Sequence, residues 1–270
     1  MHLSLIHPRL FHSLALIEPV IQSGSPSGPN AALPSSLRPD LWPSRSAAEA
    51  SIRGNKFFKR WDSRALDRYL QYGLRRTPTA LFPTQAESGP VTLTTTKHQE
   101  AWSYVRSNFV SMSDDNKARL VAPDLDAENM THLFHRPEMV LTFLNLPSVR
   151  PNVLWIFGAS SPINTLASQD EKVIRTGTGV GGSGGADAGK VEKEVVQKGG
   201  HMLPFENPQE CASLLAPWLE KQIEDFQTVE KFMGEHVSGR SERNMLAVSE
   251  QWLKNVRMKP REKRIDKPNL

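Results

Sequence analysis

Residues 195–219 read VVQKGGHMLPFENPQECASLLAPWL. A β-branched pair runs into two glycines, a single histidine follows, and an amphipathic run begins near Asn207. Val195 and Val196 close a strand-like segment, KVEKEVV, that starts at Lys190. Asn207 followed by Pro208 is a helix start: a capping side chain, then a residue whose missing N–H is not needed in the first turn. Strand, glycine turn, histidine and helix follow one another as they do where an open parallel sheet presents side chains from its strand ends. Paired glycines let the backbone turn tightly there. An imidazole held in that position suits proton transfer near neutral pH. His201 is therefore the first candidate site residue.

Working outward, RPNVLWIFGASSPIN (150–164) carries five consecutive apolar residues, Val153 to Phe157, ended by a glycine. Such a run suits a strand buried on both faces of a parallel sheet. SLALIEPV (13–20) is a third, shorter strand closed by Pro19. The predicted core is thus three parallel strands at 13–18, 153–157 and 191–196. Between the first two lie a Ser/Pro/Gly-rich loop (23–46) and helical patterns at 61–74, 95–109 and 136–146. Trp102, Val105 and Phe109 share a helical spacing and read as packing residues. Beyond His201, a helix is predicted over 207–226, kinked or divided at Pro217. A last helix, 242–256, precedes a basic tail.

Composition narrows the function classes. The 270 residues suffice for one large domain or two small ones. Apolar residues make up 38%, and 20 prolines and 17 glycines imply long loops around the core. The net charge of +4 reflects basic residues gathered from Lys254 onward. No aromatics interleave with them, so they read as a solvated tail and not as a nucleic-acid platform. No apolar run reaches the ~20 residues that span a bilayer. The single cysteine, Cys211, excludes an internal disulfide and fits a reducing compartment; it reads as a small apolar residue on a helix core face. His2, His7 and His12 recur every five residues, a spacing that suits no metal pair on a helix. Neither a metal nor a cofactor is expected.

The glycine run RTGTGVGGSGGADAGK (175–190) contains G-x-G-x-x-G twice, at Gly177/Gly179/Gly182 and Gly179/Gly181/Gly184. A dinucleotide site needs a buried strand before that motif and a helix opening within it. Here polar residues precede it and a strand follows. Gly184 to Lys190 fits G-x-x-x-x-G-K, but Val191 stands where a hydroxyl would hold magnesium. The run reads as a flexible surface loop.

Together these segments resemble the α/β-hydrolase fold family, in its C-terminal half. SLALIEP resembles the strand after the nucleophile helix, and NVLWIFGASSPIN the next strand with its glycine-to-proline turn. VVQKGGHMLPFENPQECASLLAPWL resembles the last strand, the histidine loop and the closing helix. More narrowly, the chain is similar to a fungal branch found among toxin-biosynthesis and peroxisomal hydrolases. The resemblance implies an α/β fold, a partial hydrolase core of three parallel strands with a helical cap insertion. It divides the chain into 1–23 (end of the nucleophile helix and following strand), 24–149 (cap), 150–226 (C-terminal core with the glycine loop) and 227–270 (helix and basic tail).

It also implies a hydrolase acting on an ester, thioester or lipid-like, apolar small molecule, with His201 as general base. Such enzymes place the nucleophile on a G-x-S-x-G elbow. No G-x-S-x-G stands between a strand and a helix: the match at Gly181 to Gly185 falls within the glycine run, and Ser25 in GSPSG lies in a proline-containing loop. The chain is expected to begin just after its nucleophile, to be inactive alone, and to self-associate through an exposed sheet edge. A non-catalytic binding or scaffold protein is the alternative. For the acid, Ser161 stands where many members carry Asp, and a hydroxyl carries no charge to orient an imidazole. Glu18, after the preceding strand, is the candidate; Asp170 and Glu171 remain alternatives. Ser160 and Ser161 are placed near His201, where a hydroxyl would bond the imidazole. The expected compartment is intracellular, cytoplasmic or peroxisomal, although the terminal Pro-Asn-Leu shares only its leucine with the peroxisomal Ser-Lys-Leu signal.

Overall fold

The computed structural model describes residues 1–7, 9–24, 30–84, 89–105, 120 and 136–257. They form two compact units, Met1–Leu219 and Glu220–Leu270.

The first unit opens with α1 (His2–Ile6) and β1 (Ser13–Ile17). The following segment contains α2 (Ala32–Leu37), β2 (Leu41–Trp42), α3 (Arg45–Gly54), α4 (Ser63–Tyr72), β3 (Leu74–Arg76), β4 (Val91–Leu93), α5 (Lys97–Tyr104) and α6 (Glu138–Leu144). The chain then enters β5 (Asn152–Gly158), α7 (Leu166–Arg175), β6 (Val191–Val196), the short α8 (Leu203–Glu206) and the long α9 (Pro208–Ser238).

The core sheet has the order β1-β5-β6, all parallel. Its central strand shows why an unbroken apolar run was needed. Val153, Trp155 and Phe157 pack on one face with Phe143, Leu146 and Val149. Leu154 and Ile156 pack on the other with Val196, Leu203, Cys211 and Trp218. Alternate side chains point to opposite faces of a strand, so a strand covered on both sides is apolar at every position. The edge strand β6 is half-charged instead, and its Lys193 reaches Asp170 on α7 at 2.6 Å.

The segment between β1 and β5 has its own core of Trp42, Ala48, Ile52, Phe58, Leu66, Leu70, Leu74, Val91 and Leu93. Besides helices it holds a small antiparallel sheet, β2-β4-β3, that the sequence pattern did not disclose. Two- and three-residue strands are too short to show a period. Asp62 caps α4, its side chain accepting from Arg64 N. The helix expected over 95–109 is described only as α5. There Trp102 points outward, 65% exposed, where packing was expected, and Phe109 lies outside the described residues.

Two further expectations need correction. Pro217 does not divide α9, which is continuous over Pro208–Ser238. A proline removes one helix bond, but Cys211, Leu214, Leu215 and Trp218 pack on the sheet on both sides of it. The glycine run is not an open loop. Gly177 and Gly179 donate to the carbonyls of Leu146 and Pro147, Ser183 to Val149, and Gly184 back to Gly177. These bonds tie the run to the turn leading into β5, and α7 precedes it where a nucleotide motif requires a strand.

In the second unit the predicted helix 242–256 is two helices, α10 (Glu242–Leu246) and α11 (Glu250–Arg257). Ser241 and Ser249 each accept a backbone N–H at the start of a helix, so the second serine restarts the turn. Among the described residues, no helix is long and apolar enough to cross a membrane. The tail 258–270 lies outside the described residues.

Candidate functional site

The C-terminal ends of the three parallel strands deliver the candidate residues to one place. Glu18 follows β1 directly, Ser161 and Asn164 lie in the turn after β5, and His201 follows β6. Glu18 Oε2 lies 3.2 Å from His201 Nδ1. The carboxylate is 3% exposed, whereas the imidazole side chain is 36% exposed. The pair thus has a buried acid and an accessible ring.

Glu18 sits in the left-handed backbone region at φ 46°, unusual for a residue with a Cβ. Holding such a conformation costs about 1–3 kcal/mol. Several hydrogen bonds offset it. The Glu18 N–H donates to Ile156 O at 2.9 Å, extending the β1–β5 ladder. Its carboxylate accepts from Gly158 N and Ser161 Oγ, both at 2.7 Å, and from Asn164 Nδ2 at 2.9 Å. Burial alone would raise the proton affinity of this carboxyl. The bonds from His201, Gly158, Ser161 and Asn164 outweigh burial and hold it below the usual glutamate value.

The structure therefore brings Glu18 and His201 together and leaves the alternatives apart. Asp170 is exposed and pairs with Lys193. Glu171 is an exposed residue of α7. Ser161 does not bond the imidazole; its hydroxyl donates to Glu18. The position where a charge was missed is thus filled by a donor to a carboxylate arriving from the neighbouring strand.

The glycines around His201 are required by close approach. A Cβ on Gly158 would lie 2.5 Å from Gly199 O, because the β5 turn docks onto the histidine loop through Ser160 N–Gly199 O. A Cβ on Gly200 would lie 2.5 Å from Arg60 Nη2 and 2.8 Å from Glu206 Oε2. Tight turning was the sequence-based reason for the paired glycines; neither has a positive φ.

Glu206 clamps the loop from below. It accepts from Gly200 N at 2.7 Å and pairs with Arg60 at 3.0 Å. Trp61 stacks on Phe205 with ring centroids 4.4 Å apart, and Asp62 N donates to Phe205 O. The segment between β1 and β5 thus touches the loop that carries His201. Asn164, Glu206 and Arg60 were not singled out from the sequence. The Phe-Glu of the histidine motif was its nearest signal. Among the described residues, no three His, Cys, Asp or Glu side chains gather as a metal site would require.

With this geometry in view, the comparisons are specific. The chain is 35% identical over 295 aligned positions to the type I acyl-CoA thioesterase mpaH' of Penicillium brevicompactum, covering 100% of the chain and 66% of that protein. The chain belongs to the α/β-hydrolase family. The type I acyl-CoA thioesterase mpaH of Penicillium roqueforti is 34% identical, covering 96% of the chain and 64% of that relative. The abhydrolase domain-containing protein AKT2 of Alternaria alternata is 27% identical over 223 positions, with 81% of the chain and 78% of the relative covered. The chain thus spans just under two thirds of the length of the thioesterases it matches. Among solved structures, the peroxisomal alpha-beta-hydrolase Lpx1 of Saccharomyces cerevisiae superposes with a TM-score of 0.57 at 19% identity, covering 95% of the chain and 58% of Lpx1. That likeness concerns the fold. No protein-family model matches the sequence.

Proposed function

We propose that this chain carries the acid and base of a thioesterase-type hydrolase, and that the attacking hydroxyl comes from outside these 270 residues. The observation that carries the reading is the Glu18–His201 contact at the C-terminal ends of two parallel strands. In this role His201 takes the proton of the attacking hydroxyl and returns it to the leaving group. Glu18 fixes the ring through Nδ1 and stabilises the imidazolium. Two features support an external nucleophile. The G-x-S-x-G match of the sequence, Gly181 to Gly185, follows a helix and precedes a strand and so is no strand-to-helix elbow, and the outer edge of β1 has no partner strand among the described residues. The thioesterases at 34–35% identity make an acyl-CoA thioester the favoured substrate class.

In this reading residues 24–149 act as a cap, residues 1–23 and 150–226 form the catalytic core, and 227–270 form an appended helical segment. The protein acts inside the cell, in the cytoplasm or peroxisome. The absent elbow also favours a second reading, a hydrolase fold kept for binding alone.

A fluorophosphonate probe applied to the natural gene product, expressed from its whole locus, separates the two. Covalent labelling of a serine together with hydrolysis of acyl-CoA supports the catalytic reading. An unlabelled product that hydrolyses no acyl-CoA supports the binding one.

A further inference from the structure

Behind the acid lies a residue the catalytic reading does not use. Lys172 on α7 is 0% exposed. Its Nζ donates to Asn164 Oδ1 and, at 3.0 Å, to Ser168 Oγ, and it stands 5.8 Å from the centroid of the Phe157 ring. Asn164 in turn donates from Nδ2 to Glu18 Oε2. The orientation of this carboxamide is set by its neighbours: an ammonium can only donate and a carboxylate can only accept. The residue is also anchored by Asn164 N–Ser161 Oγ and by Gln169 Nε2 donating to its carbonyl. Lysine, asparagine, glutamate and histidine therefore form one hydrogen-bonded chain from the interior to the accessible imidazole.

We propose that Lys172 is a positioning residue of the acid–base pair, its buried charge acting through Asn164 on Glu18 and, through Glu18, on His201. The inference rests on the reading of Glu18 and His201 as acid and base. A buried ammonium is costly, and among the described residues no carboxylate touches it directly. Among those residues the charged groups that face it are Glu18, at the end of β1, and Glu171 on its own helix. Burial pushes the Lys172 pKa down to about 8, which still leaves the ammonium form in the majority at neutral pH. A positive charge beyond the carboxylate stabilises its ionised form and weakens its support of an imidazolium. Repulsion between the ammonium and an imidazolium acts in the same direction.

Imidazole titration of His201 by NMR in the 270-residue chain tests this, with Lys172→Gln and Lys172→Met. Glutamine keeps a donor for Asn164 Oδ1 and loses the charge; methionine loses both. The expected result is an upward move of the titration midpoint by about 0.5–1 pH unit in both variants. A move in Lys172→Met alone would make Lys172 a structural anchor and overturn the proposal, as would no move in either. Urea unfolding shows whether the variants fold. Should neither fold, the unsubstituted chain decides: the Glu18 carboxylate carbon signal must change as Lys172 titrates, and a flat signal overturns the proposal. The readout is proton affinity and not turnover. Failure of the whole protein to hydrolyse acyl-CoA would therefore be a separate result.

Discussion

Glu18 and His201, 183 residues apart in sequence, meet with Oε2 3.2 Å from Nδ1 because β1 and β6 flank β5 in one parallel sheet. The acid is fixed by three donors besides the imidazole, and the base keeps a face open to solvent.

Glu18→Gln keeps the size of the side chain and removes its charge. In the active protein it should lower kcat by about 10³- to 10⁴-fold, the scale seen when the acid of a Ser-His-Asp site is neutralised. Steady-state acyl-CoA hydrolysis checks this, with KM expected to change far less than kcat.

The folded carboxyl of Glu18 binds its proton less readily than an ordinary glutamate, whose value is 4.5. Its stabilisation is therefore fully present above pH 4.5 and is lost as pH falls through the lower folded value. Lys172 acts at the other end of the scale. Its folded value of about 8 lies below the ordinary 10.5, so the unfolded chain holds more protons between them. Stability should rise with pH across that window. Urea midpoints from pH 3 to 10.5 should show an acid loss reduced in Glu18→Gln and an alkaline gain reduced in Lys172→Met.

Much of the fold was legible because it rests on strong local signals. Val153–Phe157 has no polar position, so a strand with two buried faces followed from the sequence. Asn207-Pro208 marked a helix start by capping chemistry. The site was only half legible. His201 stood in a recognisable strand-turn-helix setting, but its acid depended on which strand neighboured β5, and a single sequence does not order strands. Lys172 was hidden more deeply. On α7 Gln169 and Lys172 are the buried side chains, while Ile174 is exposed. This inverts the usual rule that the apolar stripe faces inward. In SQDEKVIR that lysine reads as solvated surface.

Glu206 should matter more to the histidine loop than its partner Arg60. Glu206→Ala leaves Gly200 N without its acceptor and should cost about 1–3 kcal/mol. Arg60 is 57% exposed, and Arg60→Ala should cost no more than about 1 kcal/mol. Urea denaturation of the two variants and the double variant measures both costs.

Cys211 lies in the core beside Leu203 and Trp218, and burial raises its thiol pKa. It should resist a thiol reagent such as Ellman's in the native protein and react fully in denaturant. Rapid native labelling would show that the closing helix opens readily.

The outer edge of β1 has no partner strand among the described residues, and Leu3, Ile6 and Leu10, which precede β1 in the chain, are exposed. Unpaired strand edges recruit other chains. The 270-residue chain is expected to sediment as concentration-dependent oligomers, and a monodisperse monomer at high concentration would exclude this.

The most direct test of the central claim is the rate of acyl-CoA hydrolysis by the natural gene product, with and without His201→Ala. Turnover is expected in the unsubstituted protein and a loss of at least about 10³-fold in the variant, with its circular dichroism unchanged. Equal rates in the two proteins would contradict the claim.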